Sequence, residues 1–204
     1  LKRKAIKSKT LVLTFDDGPG DRLTPVILGI LSKYNVKATF FLLGRNIIGR
    51  ENLVKQIAAE GHDIYSHGYD HINYWYVCPF RALADIRRGW QAIDTALGVN
   101  QRKYPFRPPY GKLNITCLLY LMIKRVPIVY WSIVSGDTWP SDRINSRKAG
   151  ALTRQQGGGV VLIHDFDRSD DSLDRAVIEM IRSVLTVVRQ INMQTKTISE
   201  LLEM

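Results

Sequence analysis

Thr14-Phe15-Asp16-Asp17-Gly18-Pro19 places two adjacent carboxylates at the end of an apolar run that begins at Leu11. Such a run before strong turn punctuation reads as a buried strand that emerges into a loop. Two neighbouring acids repel and resist desolvation, a cost tolerated where a cation or a catalytic proton lies between them. Taken alone, the pair is equally compatible with a solvated turn. Further along, His67 and His71 stand four residues apart. On a helix that spacing would put both imidazoles on one face, as two ligands of one metal require. A carboxylate from Asp16 or Asp17 would complete a set of two histidines and one carboxylate with positions left open. Arg107, before Pro108-Pro109, is either a surface residue beside a turn or the ion-pair partner that orients one Asp. His164 directly follows an apolar run and reads as a satisfied histidine at the core edge or a general acid. Trp139 suits a core position or a sugar-stacking platform.

These residues need elements that bring them together. Strands are expected at 9–15, 37–43, 62–66, 103–106, 128–133, 160–163 and 195–198. Helices are expected at 22–34, 51–60, 79–97, 113–124, 146–155 and 173–191. Continuous apolar strands alternating with helices imply a parallel sheet covered by helices, either open or closed into a barrel. In such folds functional groups collect at the carboxyl ends of strands. Asp16, Asp17, His67, His71, Arg107, Asp137, Trp139, His164 and Asp165 all follow expected strands, and they include three of the four histidines of the chain. No Gly-x-Gly-x-x-Gly follows the first strand, so a dinucleotide site has no support.

The length, 204 residues, suits one domain over residues 1–204, with residues 1–8 a basic lead-in. The start shows no signal-peptide pattern, and no apolar run reaches the length of a membrane span. Net charge is +10, which favours an anionic partner or surface: nucleic acid, acidic glycan, or anionic lipid and cell wall. No basic helix with interleaved aromatics occurs, so nucleic acid is not expected as a partner. Cys78 and Cys117 lie far apart, and their spacing leaves both a disulfide and two free thiols open.

Four ordered motifs resemble those of the polysaccharide deacetylases, the NodB-homology domain of carbohydrate esterase family four: Thr14-Phe15-Asp16-Asp17-Gly18-Pro19, Ser66-His67-Gly68-Tyr69-Asp70-His71, Arg107-Pro108-Pro109-Tyr110-Gly111 and Leu162-Ile163-His164. The resemblance spans about Lys9 to Leu202. It implies a distorted (β/α) barrel, here of about seven parallel strands. It implies that Asp17, His67 and His71 bind a divalent metal, usually zinc, with cobalt, nickel or manganese as alternatives. Asp16 would be the base, His164 the acid and Arg107 the group that orients Asp16. The Tyr110 amide would hold an oxyanion, and Leu162 would line a pocket for the acetyl methyl. Asp137 would tune His164, and Trp139 would wall the groove. The fourth motif departs from the family pattern: Thr138 separates Asp137 from Trp139, and Val134 takes the upstream acidic position. Gly68 stands where Ser or Thr is usual. The implied activity is hydrolysis of N-acetyl groups on an amino-sugar glycan in the cell envelope or outside the cell. O-deacetylation of a xylan-like glycan, deformylation of a lipid-linked amino sugar and an inactive glycan-binding domain are the alternatives.

Overall fold

The computed structural model describes residues 1–101, 103–138, 145 and 147–204. The central strands are β1 (Thr10–Asp16), β2 (Thr39–Leu42), β3 (Asp63–Ser66), β4 (Ile133–Val134) and β5 (Gly159–His164), all parallel, in the order β3-β2-β1-β5-β4. The short strand β6 (Gln194–Thr195) pairs with the start of β1. Beyond β3 the sheet continues through single bridges, Ser66 to Phe106 and Phe106 to Ile128. Ile128 and β4 belong to one extended segment. Its two ends therefore bridge Phe106 on one side and pair with β5 on the other, closing the sheet into a distorted barrel.

The expected strands at 103–106 and 128–133 thus shrink to a bridge, and to a bridge plus two residues. Pro105, Pro108 and Pro127 flank these segments, and proline cannot donate to a ladder. The expected last strand also contracts, to Gln194–Thr195. Helix α9 (Ile198–Glu203) begins there instead, because Thr197 and Glu200 form a reciprocal capping box.

Side chains alternate across β1. Leu11, Leu13 and Phe15 face the helical layer, where they join the core formed with α2 (Leu23–Tyr34), α5 (Pro79–Leu97) and α8 (Asp171–Gln190). Val12 packs inward with Phe41, Tyr65, Val129 and Val160. Ala5, Ile198 and Leu201 complete this inner cluster. The basic lead-in is therefore not a tail: α1 (Lys2–Lys7) buries Ala5 and, with α9, closes the end of the barrel where the strands begin. The other end, where strands finish, is left to polar groups. The remaining helices are α3 (Gly44–Ile47), α4 (Glu51–Ala59), α6 (Ile115–Ile123) and α7 (Lys148–Gln156). Cys78 is exposed, Cys117 is buried, and they are not bridged.

Candidate active site

β1 delivers Asp16 and Asp17 to the open end, and the loop after β3 delivers His67 and His71. Asp17 Oδ1 lies 3.4 Å from His67 Nε2 and 3.3 Å from His71 Nε2. The histidines do not share a helical face. Gly68 at φ 86° and His71 at φ 56° turn the chain so that both rings point back to Asp17. Asp85 of α5 holds this loop from below: its carboxylate accepts from the amides of Tyr69 at 3.0 Å and Asp70 at 2.9 Å and from the Tyr74 hydroxyl at 2.7 Å. A Cβ on residue 68 would sit 2.5 Å from Asp85 Oδ2 and 2.7 Å from the Tyr74 hydroxyl. The glycine that departs from the family pattern is therefore required here, and Asp85 fixes the loop. An acid on the core-facing side of an amphipathic helix was the signal available in the sequence for Asp85.

Asp16 is buried and faces Arg107, whose Nη1 donates to Asp16 Oδ1 at 2.5 Å and to Thr14 Oγ1 at 2.8 Å. The fully buried guanidinium also lies 3.9 Å over the Phe41 ring and donates through Nε to the Val129 carbonyl. Burial raises the pKa of Asp16 above the ordinary value, with Arg107 opposing the shift, and burial lowers that of Arg107. Both shifts indicate that desolvation outweighs the pairing. A cation nearby would relieve the carboxylate.

His164 is the register partner of Asp16 across β1 and β5. Its Nδ1 lies 3.1 Å from Asp137 Oδ1, and its amide donates to Asp137 Oδ2 at 2.8 Å. Asp137 also accepts from the Ser135 hydroxyl at 2.6 Å and from Arg168 at 2.9 Å. Burial alone would raise the Asp137 pKa, but His164, Ser135 and Arg168 together hold it below the usual range. Burial likewise opposes charge on His164, yet Asp137 raises it to about 9. The inserted Thr138 thus leaves the Asp137–His164 contact in place. Neither Ser135 nor Arg168 was legible as a partner from sequence.

Leu162 and His164 stand two residues apart on β5 and so share a face. Tyr110, in a left-handed conformation at φ 58°, rests its ring 4.5 Å from that of His71 and is otherwise exposed. Trp139 lies outside the described residues. Asp165, which the sequence placed at this edge without a role, is buried beneath Gly18 and accepts from the Thr24 hydroxyl at 2.7 Å.

Asp17, His67 and His71 suit a divalent cation. One ligand atom from each lies within 4.8 Å of the others. Asp17 Oδ1 is buried without a hydrogen-bond partner among the described residues. His67 Nδ1 lies 2.7 Å from the Arg107 carbonyl, so Nδ1 carries the proton and the Nε2 lone pair faces Asp17. Burial, with Asp17 opposing, pushes the His67 pKa down to about 3, keeping the ring neutral and free to ligate.

With this fold and this set of groups, the class is that of distorted (β/α) barrels with a candidate metal centre at the strand ends. Comparison with known proteins is specific: the polysaccharide deacetylase family profile matches residues 3–122, and the chain belongs to that family. It is 34% identical over 185 residues to the peptidoglycan-N-acetylglucosamine deacetylase PgdA of Listeria monocytogenes, covering 87% of this chain and 37% of that protein. It is 33% identical over 158 residues to a chitooligosaccharide deacetylase of Rhizobium leguminosarum bv. trifolii, covering 77% and 72%. The crystal structure of the Bc1960 peptidoglycan N-acetylglucosamine deacetylase superposes with a TM-score of 0.83 at 28% identity, covering 96% of this chain and 89% of that one.

Proposed function

We propose that this chain is the catalytic domain of a metal-dependent deacetylase that removes N-acetyl groups from the amino sugars of a polysaccharide in the cell envelope or outside the cell. The observation that carries this reading is the pairing of Asp16 with His164, register neighbours at the strand ends beside the Asp17, His67 and His71 cluster. A base and an acid on adjacent strands beside a cation site are what amide hydrolysis needs.

Asp17, His67 and His71 would hold the ion, zinc by the nitrogen-rich donor set. When bound, it supplies Lewis acidity that polarises the scissile carbonyl and makes water more acidic. Asp16 uses Oδ2, the oxygen Arg107 Nη1 leaves free, to take the proton of the attacking water. The Tyr110 amide donates to the developing oxyanion. Leu162 packs against the acyl methyl. His164 donates from Nε2 to the departing nitrogen, since an amine anion cannot leave. Asp137 keeps His164 protonated until then. Water and amide are consumed, and acetate and a free amine are released.

Metal content and acetate release on chitin oligomers, peptidoglycan and acetylxylan test the reading. Asp16→Asn should retain the metal and lose activity by about a thousandfold or more. Near-normal acetate release from this variant would sink the assignment. Formate release, or turnover of acetylxylan alone, would redirect the substrate class.

A further inference from the structure

Helix α6 has an outer face that none of the described residues covers. Ile115, Leu119, Met122 and Ile123 recur at helical spacing, and Ile115 and Ile123 are 66% and 78% exposed. At the start of the helix, the indole of Trp75 donates to the Leu113 carbonyl, which joins the exposed loop of Trp75 and Tyr76 to this face. Lys112 Nζ lies 4.8 Å from the Trp75 ring centroid. Scattered exposed apolar residues are ordinary, but four large aliphatics on one stripe, continued by an indole and a phenol, mark a docking surface.

The charge around the stripe identifies the partner. From Thr95 to Gly136 the sequence has no acidic residue, while Lys112, Lys124 and Arg125 border the stripe at its two ends. On the adjoining helix α5 the acids Asp85 and Asp94 are buried, and the exposed charges are Arg81, Arg87 and Arg88. Arg87 reaches across to α6, donating to the Tyr120 hydroxyl at 3.2 Å. Apolar side chains at the centre, amphipathic aromatics at one end and cations around them match the physics of a helix lying in the headgroup region of an anionic bilayer.

We propose that the α6 face, with Trp75 and Tyr76, docks on an anionic lipid surface. Among the described residues no helix is long and apolar enough to cross a membrane; the contact proposed for α6 lies in the headgroup region. Asn114, which caps the start of the helix, donates to the carbonyl of Tyr74 in the loop after β3 that also carries His71. Docking there would hold the candidate active site beside the lipid surface and restrict it to glycan within reach of that surface.

Co-sedimentation of the full chain with phosphatidylcholine vesicles, with and without phosphatidylglycerol, tests this without any glycan present. Binding should require the anionic lipid and fall as salt rises. Leu119→Ser with Ile123→Ser should reduce partitioning by about tenfold or more. Lys124→Gln with Arg125→Gln should reduce it by about fivefold per charge removed. Neither pair touches the site, so both should keep the thermal midpoint and acetate release from a soluble oligomer. Absence of binding to anionic vesicles would overturn the proposal, as would equal binding by all the proteins. A dimer in sedimentation velocity that the serine pair dissolves would overturn it too, by giving the face to a second copy of the chain.

Discussion

With His164 as the proposed acid, its contact with Asp137 should set the pH range over which it can act. The Asp137 carboxylate, with smaller contributions from Asp16 and Asp17, holds the imidazole proton to about 9, against the opposing effect of burial. Asp137→Asn keeps the shape and a hydrogen-bond acceptor but removes the charge. The alkaline limb of the kcat/KM profile should then move from about 9 toward the ordinary histidine value of about 6.5. An unmoved limb would detach Asp137 from the acid. The same linkage bears on stability. The folded-state pKa is raised, so the His164 contribution is fully present below about pH 6.5 and is lost as pH rises through about 9. The wild type should therefore lose thermal midpoint across that window more steeply than the Asn variant. Much of this site was legible at the residue scale, because Asp16, Asp17, His67, His71, Arg107 and His164 declare themselves by type and by their place after apolar runs. What was not legible is how they are held. Arg168 reaches Asp137 from another loop, and the two histidines converge through positive-φ turns, neither of which sequence spacing encodes.

Helix α5 acts on the site as a rigid support, and its glycine shows how closely it must pack. A Cβ on Gly89 would sit 2.6 Å from the Gly68 carbonyl oxygen and 2.9 Å from Ser66 Oγ. Alanine gains up to about 1 kcal/mol in helix propensity over glycine. Overpacking against backbone costs about 1–3 kcal/mol, so the clash should win. Gly89→Ala should lower the thermal midpoint and weaken metal binding, because Gly68 lies between His67 and His71, the proposed ligands. Gly29, on the exposed side of α2, has nothing within 4 Å of a built Cβ. Gly29→Ala should therefore stabilise by about 0.5–1 kcal/mol and leave metal affinity unchanged. Equal effects at the two positions, measured by denaturation and metal titration, would refute the packing argument. Helices of this kind were readable from apolar periodicity. The apolar runs near Phe106 and Ile128 suggest longer strands than form, because the prolines beside them interrupt pairing. The capping box at Thr197 was present in the sequence, but the preceding β-rich residues masked it.

At the scale of the whole molecule, the barrel closes by one segment whose two ends serve different neighbours, Phe106 and β5. A cation held by Asp17 and the two histidines would tie the end of β1 to the loop after β3, spanning β2 between them. A ligand that binds only the folded chain stabilises by about 4 kcal/mol at a thousandfold excess over its dissociation constant. For a chain of this size 1 kcal/mol corresponds to about 2–4 °C. Stripping the metal with a chelator should thus lower the thermal midpoint by about 10 °C, and adding zinc back should restore it. Asp17→Asn should abolish the response to zinc, whereas Asp16→Asn should keep it despite losing turnover. That contrast separates the two adjacent carboxylates by a readout that needs no substrate. If both variants kept the zinc-dependent shift, Asp17 would not be a ligand. If neither did, Asp16 would share the ion, and the proton would have to be taken by another group.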